Sequence, residues 1–373
     1  MVSHYFFERA VSVGLYVIVC VIISNQISLS KLTIKQGMIT LTGLLAIMAY
    51  FIIPAQTMDL YRLWITASDY SQYSFVEMAR KIFDARWSSP LGIYYVSAIS
   101  KINPHLLPAI TALWFYGNIS YIISDYSKKH DISNSAVAAV IIFFLSRGVY
   151  GEVISGIRSM LAFSIIAKCI YDEIYNKKGI LIHIPVYVAL SLFHSGAIAA
   201  IVIYLFFRSV FIEKGWGRIV YAFIGIVTIL IFYFFFNSVA TRNLDNVFSL
   251  FSDSGGYFYG WEFLFNTIYM LIIFYILRHT ARPYYLTDGS VKMRRIAMTY
   301  FVIAILSIRS YSVYHRFISF ASFCSLPVLI EIIEDTERDK AIVPRRNVII
   351  LAIIMFVMSG VKGNLNGIKF FIW

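Results

Sequence analysis

Long apolar runs separated by short charged connectors occupy nearly the whole chain. A helix needs about 20 residues to cross a bilayer, so the pattern predicts spans over 8–28, 38–54, 106–124, 135–151, 158–175, 180–207, 217–237, 263–279, 296–308, 316–333 and 347–360. The run from Pro90 to Ile102 is too short to assign. The run over 180–207 exceeds one crossing and carries His194-Ser195-Gly196 at its middle. It is therefore either one long tilted helix or a hairpin of two, and the span parity depends on which. The prediction is an all-α, polytopic integral membrane protein of about 11–13 transmembrane helices, forming a single domain over 1–373. The apolar stretch after Arg9 lacks an A-x-A cleavage site, so Val11 to Ser24 reads as part of a retained span.

Two segments interrupt the apolar pattern on the predicted outer face, 55–90 and 237–262. In the first, Phe75, Val76, Met78, Ala79, Ile82 and Phe83 recur at helical spacing opposite Glu77, Arg80, Lys81 and Asp84. That spacing predicts a short amphipathic helix lying in the membrane interface. The second has a Gly255-Gly256 turn signal followed by Tyr257, Phe258, Tyr259 and Trp261. Those aromatics read as an interfacial belt or as a stacking platform for sugar rings.

Composition strengthens the membrane reading. The chain is 59% hydrophobic and 14% charged, against roughly a quarter charged in soluble domains. Its net charge of +12 would suggest nucleic acid in a soluble protein, but the Lys and Arg residues sit in short loops, where they set orientation. With the 180–207 run taken as a hairpin, sixteen basic residues fall on one side, among them Lys128, Lys129, Lys177, Lys178, Arg208 and Arg295. The other side receives seven: Arg147, Arg158, Arg242, Arg309, Arg316, Lys362 and Lys369. The richer side should be cytoplasmic, and no nucleic-acid partner is implied. The sparsely basic side is then the outer face.

The chain has no G-x-x-x-x-G-K-[ST], no G-x-G-x-x-G after a strand and no H-E-x-x-H. That argues against an intrinsic ATPase, a dinucleotide enzyme or a zinc protease. Cys20, Cys169 and Cys324 lie in apolar runs far apart, without disulfide or zinc spacing. They read as packing residues, and neither a metal nor a cofactor is predicted.

What remains is a polar set on the outer face: Asp59 and Arg62; Arg147, Glu152 and Arg158; His194; and Arg309, Tyr311, Tyr314, His315 and Arg316. An ionisable group inside a span costs about 2.5 kcal/mol or more unless it faces a partner or a wet cavity. Several arginines on one face are a signature for an anion, since guanidinium forks two donors onto phosphate oxygens. At a membrane boundary the fitting anion is a lipid-linked diphosphate. The bland alternative for each arginine is snorkelling to headgroups, and for His194 an interhelical hydrogen bond.

The order D-L-Y-R, I-R-S-M-L-A, L-F-H-S-G-A and H-R-F-I-S-F-A-S-F-C-S-L-P resembles the Wzy/EpsG-type polysaccharide polymerases. That family shows D-x-x-R in its first large external loop, Arg-x-x-x-Ala opening a span, Phe-His-x-Ser-Ala closing a later one, and an arginine before a late span ending in Leu-Pro. The likeness runs from Asp59 to Pro327. Gly196 directly follows Ser195 where the family has Ala after His-x-Ser, so His194 carries over and Ser195 does not.

The resemblance implies a metal-independent GT-C-like membrane glycosyltransferase of a bacterial inner membrane, its site facing the periplasm. Its donor and acceptor would be undecaprenyl-diphosphate-linked oligosaccharides, joined into O-antigen or a related surface polysaccharide, with a chain-length regulator and a flippase as further partners. Arg158 and Arg316 would hold the diphosphate, supported by Arg62, Arg147 and Arg309. Asp59, His194 and His315, then Glu152, are the candidate bases for the acceptor hydroxyl. Tyr257, Tyr259, Trp261 and Tyr314 are candidates for glycan contact. An O-antigen ligase, a transporter for lipid-linked sugar and a scaffold without chemistry remain as alternatives.

Overall fold

A computed structural model describes residues 2–56, 58–85, 87–235, 260–279, 286–308, 310–339 and 345–362. Its helices are α1 (Val2–Ser28), α2 (Ile34–Tyr50), α3 (Asp59–Tyr70), α4 (Phe75–Asp84), α5 (Pro90–Ile102), α6 (Leu106–His130), α7 (Asn134–Ser146) and α8 (Val149–Ser155). There follow α9 (Ile157–Tyr175), α10 (Ile180–Phe193), α11 (Ser195–Phe207), α12 (Trp216–Phe235), α13 (Trp261–His279), α14 (Asp288–Leu306), α15 (Tyr311–Asp339) and α16 (Arg345–Lys362). A short π-helical turn over Arg208–Ile212 ends α11.

Among the described residues, three segments are long and apolar enough to cross a membrane: Val11–Ser28, Leu106–His130 and Val313–Glu334. Helices α7 and α8, bent by 53° at their junction, make a fourth if taken as one span. This is the make-up of a helical membrane protein, with fewer full-length spans than the 11–13 the apolar runs suggest. Charge accounts for part of the difference, since α9 and α14 have 19 residues each but carry Arg158, Lys168, Asp172 and Glu173 and Lys292, Arg294 and Arg295 respectively, and length accounts for much of the rest. Six further apolar helices have 10–17 residues, and α10, with 14 residues, reaches only about 21 Å at 1.5 Å per residue.

The centre of the bundle is α15, which is buried throughout over 317–334. It packs on α14, α7, α9, α6 and α13, while α2 lies along α6 and α16 along α7. At one end of α15 its carboxylates hold other helices. Glu331 accepts from the backbone N–H of Thr287 at 2.7 Å, just ahead of α14, and from Tyr126 Oη at 2.7 Å. Glu334 accepts from Ser133 N–H at 3.0 Å, ahead of α7. Each places a negative charge at a helix N-terminus, where the unpaired amides and the macrodipole favour it.

The 180–207 run resolves into the hairpin. His194 has extended backbone (φ −152°, ψ 124°) and separates α10 from α11. The two arms run antiparallel, because His183 and Tyr187 of α10 and Tyr204 of α11 all meet one carboxylate, Glu173 on α9. Arg208 completes that cluster with an ion pair to Glu173. The three cysteines are buried and free.

The 55–90 segment folds as α3 and α4, and the stretch too short to assign by length becomes α5, with Pro90 in its first turn. Helix α4 has the predicted two-sided character and a capping box: Ser74 N–H and Oγ donate to Glu77 while Glu77 N–H donates back to Ser74 Oγ. Met78 and Ile82 pack on Ile93 of α5, whereas Phe75, Val76 and Phe83 stay exposed. An outward apolar edge of this kind suits a helix lying in the membrane interface.

Candidate functional site

At the end of the bundle opposite Glu331, the polar residues form two clusters of different character. The first is closed on itself. Gly148 takes left-handed backbone (φ 78°) between α7 and α8, a conformation open to glycine. The bend there directs Arg147 inward, where it is fully buried. Its Nη2 lies 2.8 Å from Glu152 Oε1 and donates to Ser319 Oγ at 2.8 Å, and its Nε donates to Asn266 Oδ1 at 3.2 Å. His315 Nε2 is 2.9 Å from the same Glu152 Oε1, and Ser319 Oγ donates to Glu152 Oε2 at 2.8 Å. The guanidinium also sits over the Tyr269 ring, 5.2 Å from its centroid. Arg147, Glu152 and His315 thus engage one another across α7, α8 and α15, and this cluster works as a brace.

The second cluster is open. Arg158 lies in the first turn of α9, half-buried, and donates from Nη1 to Ser89 Oγ at 2.7 Å. Arg316, in the second turn of α15 and also half-buried, has no hydrogen-bond or carboxylate partner among the described residues. The two guanidiniums lie within electrostatic range of each other, and Asp59 acts on both. Asp59 forms an exposed pair with Arg62, Oδ1 to Nη2 at 3.4 Å. Such a pair contributes about 0–1 kcal/mol. The Asp59 backbone N–H donates to Ser155 Oγ at 3.3 Å, which ties α3 to α8.

His194 sits at the hairpin apex, 7% exposed, within electrostatic range of Arg158 and Arg316. Its Nε2 is buried without a hydrogen-bond partner among the described residues. A buried polar atom left this way costs about 1–3 kcal/mol. The ring faces Phe163 edge-on at 6.1 Å.

The backbone adds to the positive potential. Helices α5, α9 and α11 all begin here, and none of the three has a side-chain cap. Each N-terminus presents unpaired amides and roughly half a positive charge. They meet because α5 comes very close to the hairpin. A Cβ on Gly92 would stand 2.1 Å from the Phe193 carbonyl oxygen and 2.8 Å from Arg158 Cδ. Two guanidiniums, three open helix N-termini and an unpartnered imidazole therefore converge, an arrangement that attracts a multiply charged anion.

The structure thus brings Asp59, Arg62, Arg158, His194 and Arg316 to one place and sets Arg147 and His315 into the neighbouring brace. Tyr314 is buried, hydrogen-bonded to Thr267 Oγ1 at 2.6 Å and tilted against Phe263 at 5.2 Å, so it packs between α13 and α15. Tyr257, Tyr259 and Arg309 lie outside the described residues, and Trp261 is the first residue of α13. Ser89 and Gly92 enter the site without having been singled out from sequence. Their signal was Ser89-Pro90, a helix-start pair, with a glycine one turn in.

The class of protein these observations define is an all-helical membrane-type bundle with a cluster of positive charge at one end. No protein-family model, no curated protein and no solved structure matches the chain.

Proposed function

We propose that the chain is a GT-C-like polysaccharide polymerase that extends a glycan carried on a lipid diphosphate, at the outer face of a bacterial inner membrane. One observation carries the reading: Arg158 and Arg316 lie near each other without a carboxylate ion pair, where three uncapped helix N-termini meet around His194. Placing like charges together in half-buried surroundings is unfavourable until an anion arrives between them. A diphosphate on a polyprenyl carrier brings that charge while its tail stays in the bilayer.

In the proposed reaction an acceptor hydroxyl attacks the anomeric carbon of the donor glycan. The new glycosidic bond forms as the bond from that carbon to the diphosphate oxygen breaks, and the electron pair leaves with the diphosphate. Arg158, Arg316 and the helix N-termini stabilise the charge that develops there. The hydroxyl proton passes to a base. His315 and Glu152 are engaged with each other and with Arg147, which leaves the two remaining candidates. His194, in the tautomer that leaves Nε2 unprotonated, takes the proton there, and Asp59 with Arg62 orients the incoming unit.

The test is chain extension by the purified protein reconstituted with lipid-diphosphate-linked repeat units, read as a glycan ladder. A ladder of many steps that collapses in Arg316→Gln supports the proposal. A single added unit would indicate a ligase-type transfer, and an absence of product from folded, reconstituted protein would remove the enzyme reading.

A further inference from the structure

At the opposite end of the bundle a cleft of about 970 Å³ opens between α2 and α6. It is separate from the site above and has a graded lining. At its mouth are Lys35, Lys128 and Asp131, all exposed. Neither lysine has a carboxylate or hydrogen-bond partner among the described residues. Asp125 also lines the cleft, but its carboxylate already accepts from Lys129 Nζ at 2.6 Å and from Tyr171 Oη at 2.7 Å. The mouth therefore keeps an excess of one positive charge, two lysines against Asp131.

Deeper in, the lining becomes apolar, with Ile39 on α2 and Leu113 on α6. Both are exposed, as is Trp114 beside them, so this flank faces the surrounding hydrocarbon. Gly43 and Gly117 form the floor, and a Cβ added to either would meet nothing within 4 Å. The hydroxyls along the wall are partly spent inside the protein: Thr42 Oγ1 and Ser120 Oγ bond each other at 2.8 Å. The result is a groove that is cationic at the end of the bundle and apolar towards its middle.

We infer that this cleft holds one anionic glycerophospholipid, its phosphate between Lys35 and Lys128 and an acyl chain along Ile39, Gly43, Leu113 and Gly117. Charge complementarity sets the headgroup, since a phosphate satisfies both lysines while the mouth is net positive. The open glycines set the tail, because a chain lying there restores the packing contacts an empty groove forfeits. A soluble anion would use only the mouth.

The test is native mass spectrometry of the full chain in detergent with added phosphatidylglycerol, run against diacylglycerol and against undecaprenyl phosphate. The wild-type protein should retain one phosphatidylglycerol. Lys35→Gln/Lys128→Gln should weaken retention by about tenfold or more. Gly43→Leu/Gly117→Leu should abolish it by filling the floor, and both changes favour the helix by propensity, so folding is preserved. Equal retention by these variants overturns the inference. So does retention of diacylglycerol as strong as that of phosphatidylglycerol, or preferential retention of the prenyl phosphate. Chain extension is not the readout, so failure here leaves the polymerase proposal standing, and the reverse holds too.

Discussion

Arg147 and Arg158 look alike in sequence, yet their surroundings predict opposite consequences for the same change. Arg147→Gln removes the cation from a pair whose side chains are 0% and 3% exposed and leaves the Glu152 carboxylate buried without it. Breaking one partner of such a pair costs about 3–5 kcal/mol. Arg158→Gln removes a cation held by one hydrogen bond to Ser89 and repelled by Arg316. A hydrogen bond to a charged group contributes about 1.5–3 kcal/mol, and relief of the like-charge contact offsets part of that. The unfolding midpoint should therefore fall sharply for Arg147→Gln and little for Arg158→Gln. Turnover should order the other way for the folded fraction, with Arg158→Gln losing roughly 100- to 1000-fold, the usual effect of deleting one stabiliser of a developing oxyanion. Inorganic diphosphate gives a second readout. At about 100 times its Kd it should stabilise the wild type by about 2.7 kcal/mol and the Arg158→Gln variant far less. If Arg158→Gln lowers the midpoint as much as Arg147→Gln, or diphosphate stabilises both forms equally, Arg158 is a brace and the anion-site reasoning is wrong.

Two other outcomes are open to direct measurement. Gly92→Ala should push α5 away from the hairpin apex, because the new Cβ would meet the Phe193 backbone oxygen at 2.1 Å; such overpacking costs about 1–3 kcal/mol, and a Gly92→Ala protein that keeps wild-type stability and activity would show that the close approach is not needed. Glu77 accepts from the Ser74 backbone N–H and hydroxyl, which holds its carboxyl below the ordinary carboxylate range. A depressed carboxylate adds stability that is complete above its unfolded pKa and is lost as pH falls through the folded one. The protection of α4 amides, taken relative to the unstructured exchange rate at each pH, should therefore fall only at acidic pH, below the ordinary glutamate value, and a Glu77→Gln protein should lack that dependence.

The fold was legible where it rests on local pattern. Apolar runs mark α1, α6 and α15, and the alternation of Phe75, Met78 and Ile82 with charges marks α4, because periodicity and length are properties of a few turns of chain. Helix α3 and the assignment of α5 were not legible, since both are short and owe their stability to packing on each other. The hairpin could not be told from a long helix, because its evidence is one carboxylate, Glu173, reached from both arms across 31 residues. The arginines were legible as a set and not as individuals. Whether a guanidinium is spent or available depends on partners such as Asn266 and Ser319, which lie 119 and 172 positions away from Arg147.

Three helix N-termini at the far end carry a side-chain cap that the three around His194 lack. Away from the site, α2, α7 and α14 are capped by the side chains of Thr33, Ser133 and Thr287, and Glu334 and Glu331 add full negative charges to the last two. The acids there are also matched: Asp172 accepts from Lys178 Nζ at 3.0 Å and lies 3.3 Å from Lys168 Nζ, and Glu173 pairs with Arg208. Around His194 the order is reversed, with α5, α9 and α11 uncapped and Arg158 placed in a first turn, where the macrodipole disfavours a cation. A side chain that capped α9 with a carboxylate would remove both unfavourable terms at once. The natural residue at that cap is Gly156, which supplies no such group. A Cβ there would stand 3.0 Å from Ser159 Oγ and 3.1 Å from the Glu152 carbonyl oxygen, so close packing of α8 on α9 already calls for glycine, and the open terminus that results suits a ligand that brings its own negative charge. Gly156→Asp should then inhibit chain extension, because the new carboxylate would compete with the diphosphate, with little or no gain in the unfolding midpoint, since crowding of its Cβ offsets the new cap; a Gly156→Asp protein that extends chains at the wild-type rate would count against the site.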